Sequence, residues 1–320
     1  MKRIGVLTSG GDAPGMNAAI RAVVRSGISQ GMEVYGINRG YEGLIENDIN
    51  RLEWYHAGDI IYRGGTILKT ARCERFYDDE WVARAADNLK HRGIDSLVVI
   101  GGDGTFRGGL CLVKHGINVI GIPASIDNDL GYTDVTIGFN TAIDTILDLV
   151  TKIRDTSSSH ERATIIEVMG RNCGDLAIYA GITSGADVIM VPEHEMPIQD
   201  VIERVRAGKN SGKLHTVIIK AEGVDIPLNE LQQILESLTG QETRTVVPGY
   251  IQRGGSPVAQ DRLIASLAGA KAIDLIQQND NKSYAVGFAG SDVFAINMEA
   301  AVNSKRIFRE DIYELANVLG

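Results

Sequence analysis

Cysteine is scarce in this chain. Its three thiols, Cys73, Cys111 and Cys173, lie far apart and show no zinc-type spacing. An odd number of scattered cysteines offers no disulfide framework and suits a reducing compartment, so a cytoplasmic location is expected. Proline is thin too, 7 residues against 37 glycines. That balance fits an α/β chain with many tight strand-to-helix turns, not a disordered one. Long apolar runs are missing: none approaches the ~18 residues of a membrane span. Met1-Lys2-Arg3 leads into an apolar stretch too short for the core of a signal peptide. Positive charge is in deficit, with a net charge of −9. No nucleic-acid or anionic-membrane partner is therefore expected, and an anionic substrate would need a local arginine cluster.

What remains is a 320-residue chain, 44% hydrophobic, long enough for one large or two medium domains. Ile4 to Thr8 reads as a buried strand, Ser9 to Gly15 as a glycine-rich turn, and Met16 to Gly31 as a helix. Such a turn frees backbone N–H groups at a positive helix end, which suits phosphate, although a tight βα turn without ligand has the same pattern. Glu33 to Asn38 reads as a strand, Tyr41 to Gly58 as loop-rich, and Asp79 to Arg92 as an amphipathic helix. Leu97 to Ile100 is the clearest buried strand. It ends in Gly101-Gly102-Asp103-Gly104-Thr105, with a helix expected from Phe106 to His115. Here glycines flank one acid, so backbone can approach a polyphosphate and Asp103 can hold Mg²⁺ beside it.

The next strand, Asn118 to Ile122, runs into Pro123-Ala124-Ser125-Ile126-Asp127-Asn128-Asp129. In isolation this is an Asx-rich turn. Beside the glycine turn it offers a proton acceptor next to a nucleotide–metal site, the layout of phosphoryl transfer. A helix is expected from Gly138 to Thr156, broken by the serine-rich run that ends in His160-Glu161-Arg162. Strands are expected at Ala163 to Val168, Asp187 to Val191, Thr216 to Ala221, Thr245 to Ile251 and Tyr284 to Phe288. Helices are expected at Pro197 to Ala207, Leu228 to Thr239, Ala259 to Gln278 and Ile307 to Val318. This alternation gives an α/β fold with a second, smaller α/β layer of about 110 residues. Arg72, Arg162, Arg171, Arg244 and Arg253 stand beside turns and strand ends, and would offset repulsion between two anionic substrates. Arg21 and Arg25 share a helix face, either simply solvated or clamping a second phosphate ligand.

Taken together, Ser9 to Asn17, Gly64 to Cys73, Gly101 to Thr105, Ile126 to Asp129, His160 to Arg162, Glu167 to Arg171, Ala221 to Gly223 and Gln252 to Pro257 resemble bacterial ATP-dependent 6-phosphofructokinases. The resemblance runs in order through nearly the whole chain. It implies two three-layer α/β/α domains with mostly parallel sheets. Residues 1–138 plus about 251–303 would bind ATP; 139–250 plus about 304–320 would bind the sugar phosphate. It implies transfer of the ATP γ-phosphate to the 1-hydroxyl of fructose 6-phosphate, with Mg²⁺, in a homotetramer with shared sites.

Asp127 is then the base, Ser125 and Arg171 assist the transition state, and Asp103 holds the metal. Gly11, Arg72, Cys73 and Gly102, Asp103, Gly104 and Thr105 line ATP, with Gly11 and Arg72 also next to the transferred group. Ser125, Ile126, Asp127, Met169, Gly170, Arg171 and Glu222 hold the sugar. Tyr250 and Arg253 reach the 6-phosphate from the same chain, and Arg162 and Arg244 from a neighbouring subunit.

Relatives that use pyrophosphate usually carry Asp and Lys where this chain has Gly104 and Ala124, so ATP is the expected donor. The alternatives are a pyrophosphate-dependent enzyme and a catalytically silent nucleotide sensor. Arg21, Arg25, Arg154, Gly185, Asp187, Ser211, Lys213 and His215 fall at the family's second site, for ADP or phosphoenolpyruvate. There Asp187 stands for the usual Glu and Ser211 for a basic residue, so weak effector control is expected. Tyr250 stands where His is common, and Ser125 where Thr is common.

Overall fold

The structure is a computed structural model that describes residues 1–278 and 282–320. It divides into two compact units, Met1–Thr141 with Arg253–Arg306, and Ala142–Gln252 with Ile307–Gly320. The first unit opens with β1 (Arg3–Thr8), α1 (Met16–Ser29), β2 (Glu33–Ile37), α2 (Gly40–Glu46), β3 (Ile49–Leu52), α3 (Asp79–His91), β4 (Ile94–Gly101), α4 (Asp103–Lys114), β5 (Asn118–Ser125) and the short β6 (Ile137–Gly138). Helix α5 (Phe139–His160) leads on to β7 (Ala163–Val168), α6 (Asp175–Ser184), β8 (Val188–Met190), α7 (Ile198–Asn210), β9 (Thr216–Ala221), α8 (Leu228–Thr239) and β10 (Thr243–Val246). The chain then gives α9 (Ala259–Gln278), β11 (Tyr284–Ala289), β12 (Asp292–Asn297) and α10 (Met298–Asn303), and closes with α11 (Glu310–Leu319).

In the first unit the strands run in the order β12-β11-β5-β4-β1-β2-β3, with β6 on β5. The pairing is parallel except for β3 on β2 and β12 on β11. Apolar, largely β-branched strands such as Leu97–Ile100 are fully buried because helices cover both faces. Helices α1 and α9 pack together, while α2, α3, α4 and α10 pack as a separate group. Leu7, Ile37, Leu97 and Val119 meet Leu44, Leu89, Phe106 and Leu112 in one core.

Asp261, fully buried in the first turn of α9, ties this unit's return segment to the start of α5. It accepts from the Thr141 N–H at 2.8 Å, the Thr141 hydroxyl at 2.5 Å and the Asn140 amide at 3.2 Å. Burial pushes its carboxyl above the usual aspartate range, and the Thr141 bonds pull it partly back. Asp261→Ala would strand these donors, so a loss of roughly 2–4 kcal/mol is expected in a urea titration. A loss under about 0.5 kcal/mol would contradict that role.

The second unit is a fully parallel sheet in the order β10-β7-β9-β8. Helices α7 and α8 close a core of Ile165, Val188, Val201, Val205, Ile218, Leu231 and Leu235. Helices α6 and α11 pack against each other and against β8. Each unit is thus an α/β layered structure, in line with the expected fold class.

Several local expectations are corrected. Residues 41–58 are less loop-rich than expected: they hold most of α2, β3 and a 3₁₀ turn, Trp54–Ala57. Helix α4 begins at Asp103, three residues before the expected Phe106, so the aspartate belongs to its first turn. Helix α5 does not break at Thr156 but runs to His160. The serines fit because Ser159 Oγ donates to the Asp155 carbonyl at 2.9 Å and buried Ser157 pairs with Thr164 at 2.8 Å. The strand expected at Thr245–Ile251 is β10, which stops at Val246 before Pro248; a 3₁₀ turn, Gly249–Arg253, follows. Helix α6 and the β11–β12 hairpin partner were absent from the sequence reading.

Candidate active site

In the first unit, β5, β4 and β1 are consecutive parallel neighbours, so their carboxyl ends lie side by side. The three turns that leave them touch. Ser9 N–H donates to the Ile100 carbonyl at 3.1 Å, and Thr105 Oγ1 donates to the Ser9 carbonyl at 3.0 Å. A Cβ on Gly101 would collide with both Thr105 and the Ser9 backbone, so only glycine fits there. A Cβ on Gly102 would stand 4.0 Å from the Ser125 Cβ, which places the β4 turn against the end of β5. Thr70 Oγ1 donates to the Gly10 carbonyl at 2.7 Å and brings Arg72 and Cys73 to the β1 turn. Gly11 faces the guanidinium of Arg253, which any side chain at 11 would displace. Arg253 Nε is buried and, among the described residues, has no hydrogen-bond partner.

Asp127 is 3% exposed, and Ile126 beside it is buried. Its backbone N–H donates to Ser125 Oγ at 3.2 Å, and Ser125 Oγ lies 3.5 Å from Asp129 Oδ1. Asn128 takes a left-handed φ of 53° and accepts from the Thr136 N–H at 3.0 Å, while Thr136 Oγ1 donates to the Ser125 carbonyl at 2.6 Å. These bonds fix the turn, which the sequence allowed to be an ordinary Asx loop.

Asp103 is half-exposed and pairs with Arg107 at 2.7 Å, one turn along α4. Among the described residues no group of three or more His, Cys, Asp or Glu forms a metal cage. Mg²⁺ is commonly held by one or two carboxylates, with phosphate oxygens and water completing its shell, and half-exposed Asp103 is a donor of that kind. The Cys73 thiol is pushed up to about 11 by burial, helped by its bond to Glu42, so at neutral pH it stays protonated and inert.

In the second unit, Glu167, Val168, Met169, Glu222, Val247, Gly249, Tyr250 and Gln252 line a pocket of about 200 Å³. It lies at the carboxyl ends of β7 and β9, where α/β sheets bind ligands. Glu222 Oε1 accepts from the Arg171 N–H at 2.8 Å, and Gln252 Oε1 from the Met169 N–H at 3.1 Å. Gly170 and Arg171 both have positive φ, 131° and 54°. Arg171 is no glycine, and a left-handed conformation there holds strain of the kind found at functional sites.

Arg162 and Arg244 are not brought to this pocket within the chain. Arg162 precedes β7 and Arg244 pairs with Thr164, so both sit at the amino end of the strand that delivers Met169. Six residues at ~3.3 Å each put roughly 20 Å between those ends. Both arginines flank Glu242, Arg162 at 2.7 Å, and the Arg162 bond holds that carboxyl below its usual range.

Of the second-site candidates, Arg25 stacks on Trp54 at 3.9 Å, on the same helix as Arg21. In the second unit Lys213 pairs with Asp187 at 2.5 Å, and Arg154 donates to the Gly185 carbonyl. Ser211 Oγ turns back to the Gly208 carbonyl at 2.8 Å, and buried His215 Nδ1 has no hydrogen-bond partner among the described residues. Thr8, Asn17 and Gln252 pin the loops of the site; Asn17 and Gln252 fall in the segments that carry the resemblance, but the bonding role of all three went unread, since each acts through contacts distant in the chain.

The profile of the phosphofructokinase family matches residues 3–276. The chain is 53% identical, over 100% of its length and 99% of the relative's, to the ATP-dependent 6-phosphofructokinase of Alkaliphilus metalliredigens. It is 50% identical over 319 residues to that of Clostridium botulinum, again covering 99% of the relative. The phosphofructokinase structure from Saccharomyces cerevisiae superposes with a TM-score of 0.90 at 34% identity, and covers all of this chain and 47% of the yeast one. A pyrophosphate-dependent phosphofructokinase from Marinobacter aquaeolei gives 0.87 at 19% identity, a likeness of fold alone, with 97% of this chain and 86% of that one covered. The fold and the relatives make this chain an α/β phosphotransferase. It belongs to the phosphofructokinase family.

Proposed function

We propose that the chain is an ATP-dependent 6-phosphofructokinase that moves the γ-phosphate of ATP to the 1-hydroxyl of fructose 6-phosphate, the committed step of glycolysis. The observation that carries this is the approach of the glycine turn after β4 to Ser125 at the end of β5, close enough that a Cβ on Gly102 would stand 4.0 Å from that of Ser125, beside buried Asp127. It supports one phosphoryl group being held by the first turn while the second takes a proton. Open backbone at Gly11, Gly102 and Gly104 receives the polyphosphate while buried Thr105 braces the turn, with Arg72 and Arg253, whose Nε has no hydrogen-bond partner among the described residues, as nearby positive groups. Mg²⁺, when bound at Asp103, offsets charge on the phosphate oxygens. Asp127 takes the proton of the attacking hydroxyl, oriented by Ser125, and Arg171 stabilises charge on the transferred group. In the second unit Met169, Gly170 and Glu222 bind the sugar by hydrogen bonds and packing.

Arg162 and Arg244 lie far from their own chain's pocket, which supports a role in a neighbouring subunit's site and hence a homotetramer with shared sites. With Asp187 neutralised by Lys213 and Ser211 turned away, ADP or phosphoenolpyruvate exerts little control. Among the described residues no helix is long and apolar enough to cross a membrane, and we place the enzyme in the cytoplasm. A coupled assay tests the reading: ATP, Mg²⁺ and fructose 6-phosphate give ADP and fructose 1,6-bisphosphate, while pyrophosphate in place of ATP gives no turnover. Turnover with pyrophosphate alone would overturn the choice of donor.

A further inference from the structure

Strand β9 reads Thr216-Val217-Ile218-Ile219-Lys220-Ala221 and is buried along its whole length, so Lys220 stands out: its residue is 1% exposed. A buried ammonium is tolerated only when paired and hydrogen-bonded. Lys220 Nζ donates to Glu167 Oε2 at 2.8 Å and to the Ala221 carbonyl at 3.3 Å. The two residues are register partners on neighbouring strands β7 and β9. The pair is asymmetric, with 2% of the lysine side chain exposed against 23% of the glutamate. Glu167 opens on the pocket that Glu222, Met169 and Tyr250 also line.

That pocket wall therefore carries two carboxylates, each with one oxygen already held by the protein. Lys220 holds Glu167 Oε2, and the Arg171 N–H holds Glu222 Oε1. A carboxylate only accepts, so the remaining oxygens suit hydroxyl donors and repel phosphate. An acceptor fixed beforehand also loses little side-chain freedom when a ligand arrives.

We propose that Glu167 accepts a hydrogen bond from a hydroxyl of the sugar, and that Lys220 is the positioning residue that fixes it. This rests on the reading that the second unit's pocket holds the sugar part of the substrate. The test uses the full-length enzyme and measures melting temperature, kcat, and KM for fructose 6-phosphate and for ATP. Glu167→Gln keeps an acceptor for Lys220 but weakens the bond to substrate. Its KM for fructose 6-phosphate is expected to rise about tenfold or more, with kcat and the KM for ATP within about threefold of wild type.

Lys220→Met is expected to give the same split. In the double variant the melting temperature recovers, because no buried charge is left unmatched, while the raised KM persists at about the level of Glu167→Gln alone. Should Lys220→Met alone fail to fold, Glu167→Gln and the double variant decide. Stable Glu167→Gln and double-variant enzymes with sugar KM within about twofold of wild type would reduce the pair to a structural one and overturn the inference. Glu222→Gln separates the two levels. If it raises the sugar KM while Glu167→Gln does not, only this inference fails; if neither moves it, the pocket does not hold the sugar and both fall.

Discussion

Asp127→Asn is expected to lower kcat by about 10²–10⁴-fold, the usual worth of a positioned general base. Asparagine has nearly the same shape, and the bond that fixes the turn comes from the backbone N–H of residue 127 to Ser125 Oγ, 3.2 Å away, which the substitution leaves in place. What disappears is the proton acceptor. Because that acceptor acts only as the hydroxyl attacks, kcat and kcat/KM are expected to fall together, with KM for ATP within about threefold. Steady-state kinetics at saturating fructose 6-phosphate check this. A rate within about threefold of wild type would remove Asp127 from the proton transfer.

The second large effect is expected at Gly104. A Cβ built there meets nothing within 4 Å, and the residue has no left-handed φ. It is the second residue of α4, where an acidic side chain suits the helix's positive end. Gly104→Asp is therefore expected to fold as well as wild type, with a melting temperature within about 2 °C. Its penalty is electrostatic. A carboxylate near a nucleotide phosphate costs up to about 4 kcal/mol at 4 Å in a medium of intermediate dielectric, so kcat/KM for ATP is expected to drop about a hundredfold. The loss is expected to shrink as salt rises, since the turn is open to solvent. An ATP kcat/KM within about threefold of wild type would show that no phosphate approaches residue 104.

These two positions were readable from the sequence because their chemistry is local. Gly101 to Thr105 and Ser125 to Asp129 follow directly on the apolar runs Leu97–Ile100 and Val119–Ala124, and adjacent βα turns in a parallel sheet have few places to go. The partition of helices and strands was readable where periodicity was strong, as in α3 and α9. Elsewhere the signal failed for physical reasons. Helix α6, Asp175–Ser184, is buried along most of its length, so it has no polar face to mark its period. Helix α2 is seven residues long with a glycine in its middle, below the length at which a pattern can be seen. The serines of α5 looked like a loop because their hydroxyls compete for backbone, yet here they bond within the helix and across to Thr164.

The site was partly legible. Single-residue roles rested on resemblance, while the supports came only with coordinates. Asn17 holds the loop through Arg63 and Gly64, at 3.0 and 3.2 Å, from almost fifty positions away. Lys220 sat in an apolar strand beside Glu222, yet its partner is Glu167, 53 residues upstream. The residue pattern alone grouped Arg162 and Arg244 with the other strand-end arginines, and only the resemblance set them apart; they stand at the opposite end of the sheet from Met169 to Arg171.

The most direct measurement is a crystal structure of the enzyme with Mg²⁺, a non-hydrolysable ATP analogue and fructose 6-phosphate. The expected result puts an Asp127 carboxylate oxygen within about 3 Å of the sugar's 1-hydroxyl, with the γ-phosphorus in line on its other side. A γ-phosphate held at the Gly102–Thr105 turn while the sugar hydroxyl lies beyond hydrogen-bond reach of Asp127 would contradict the account.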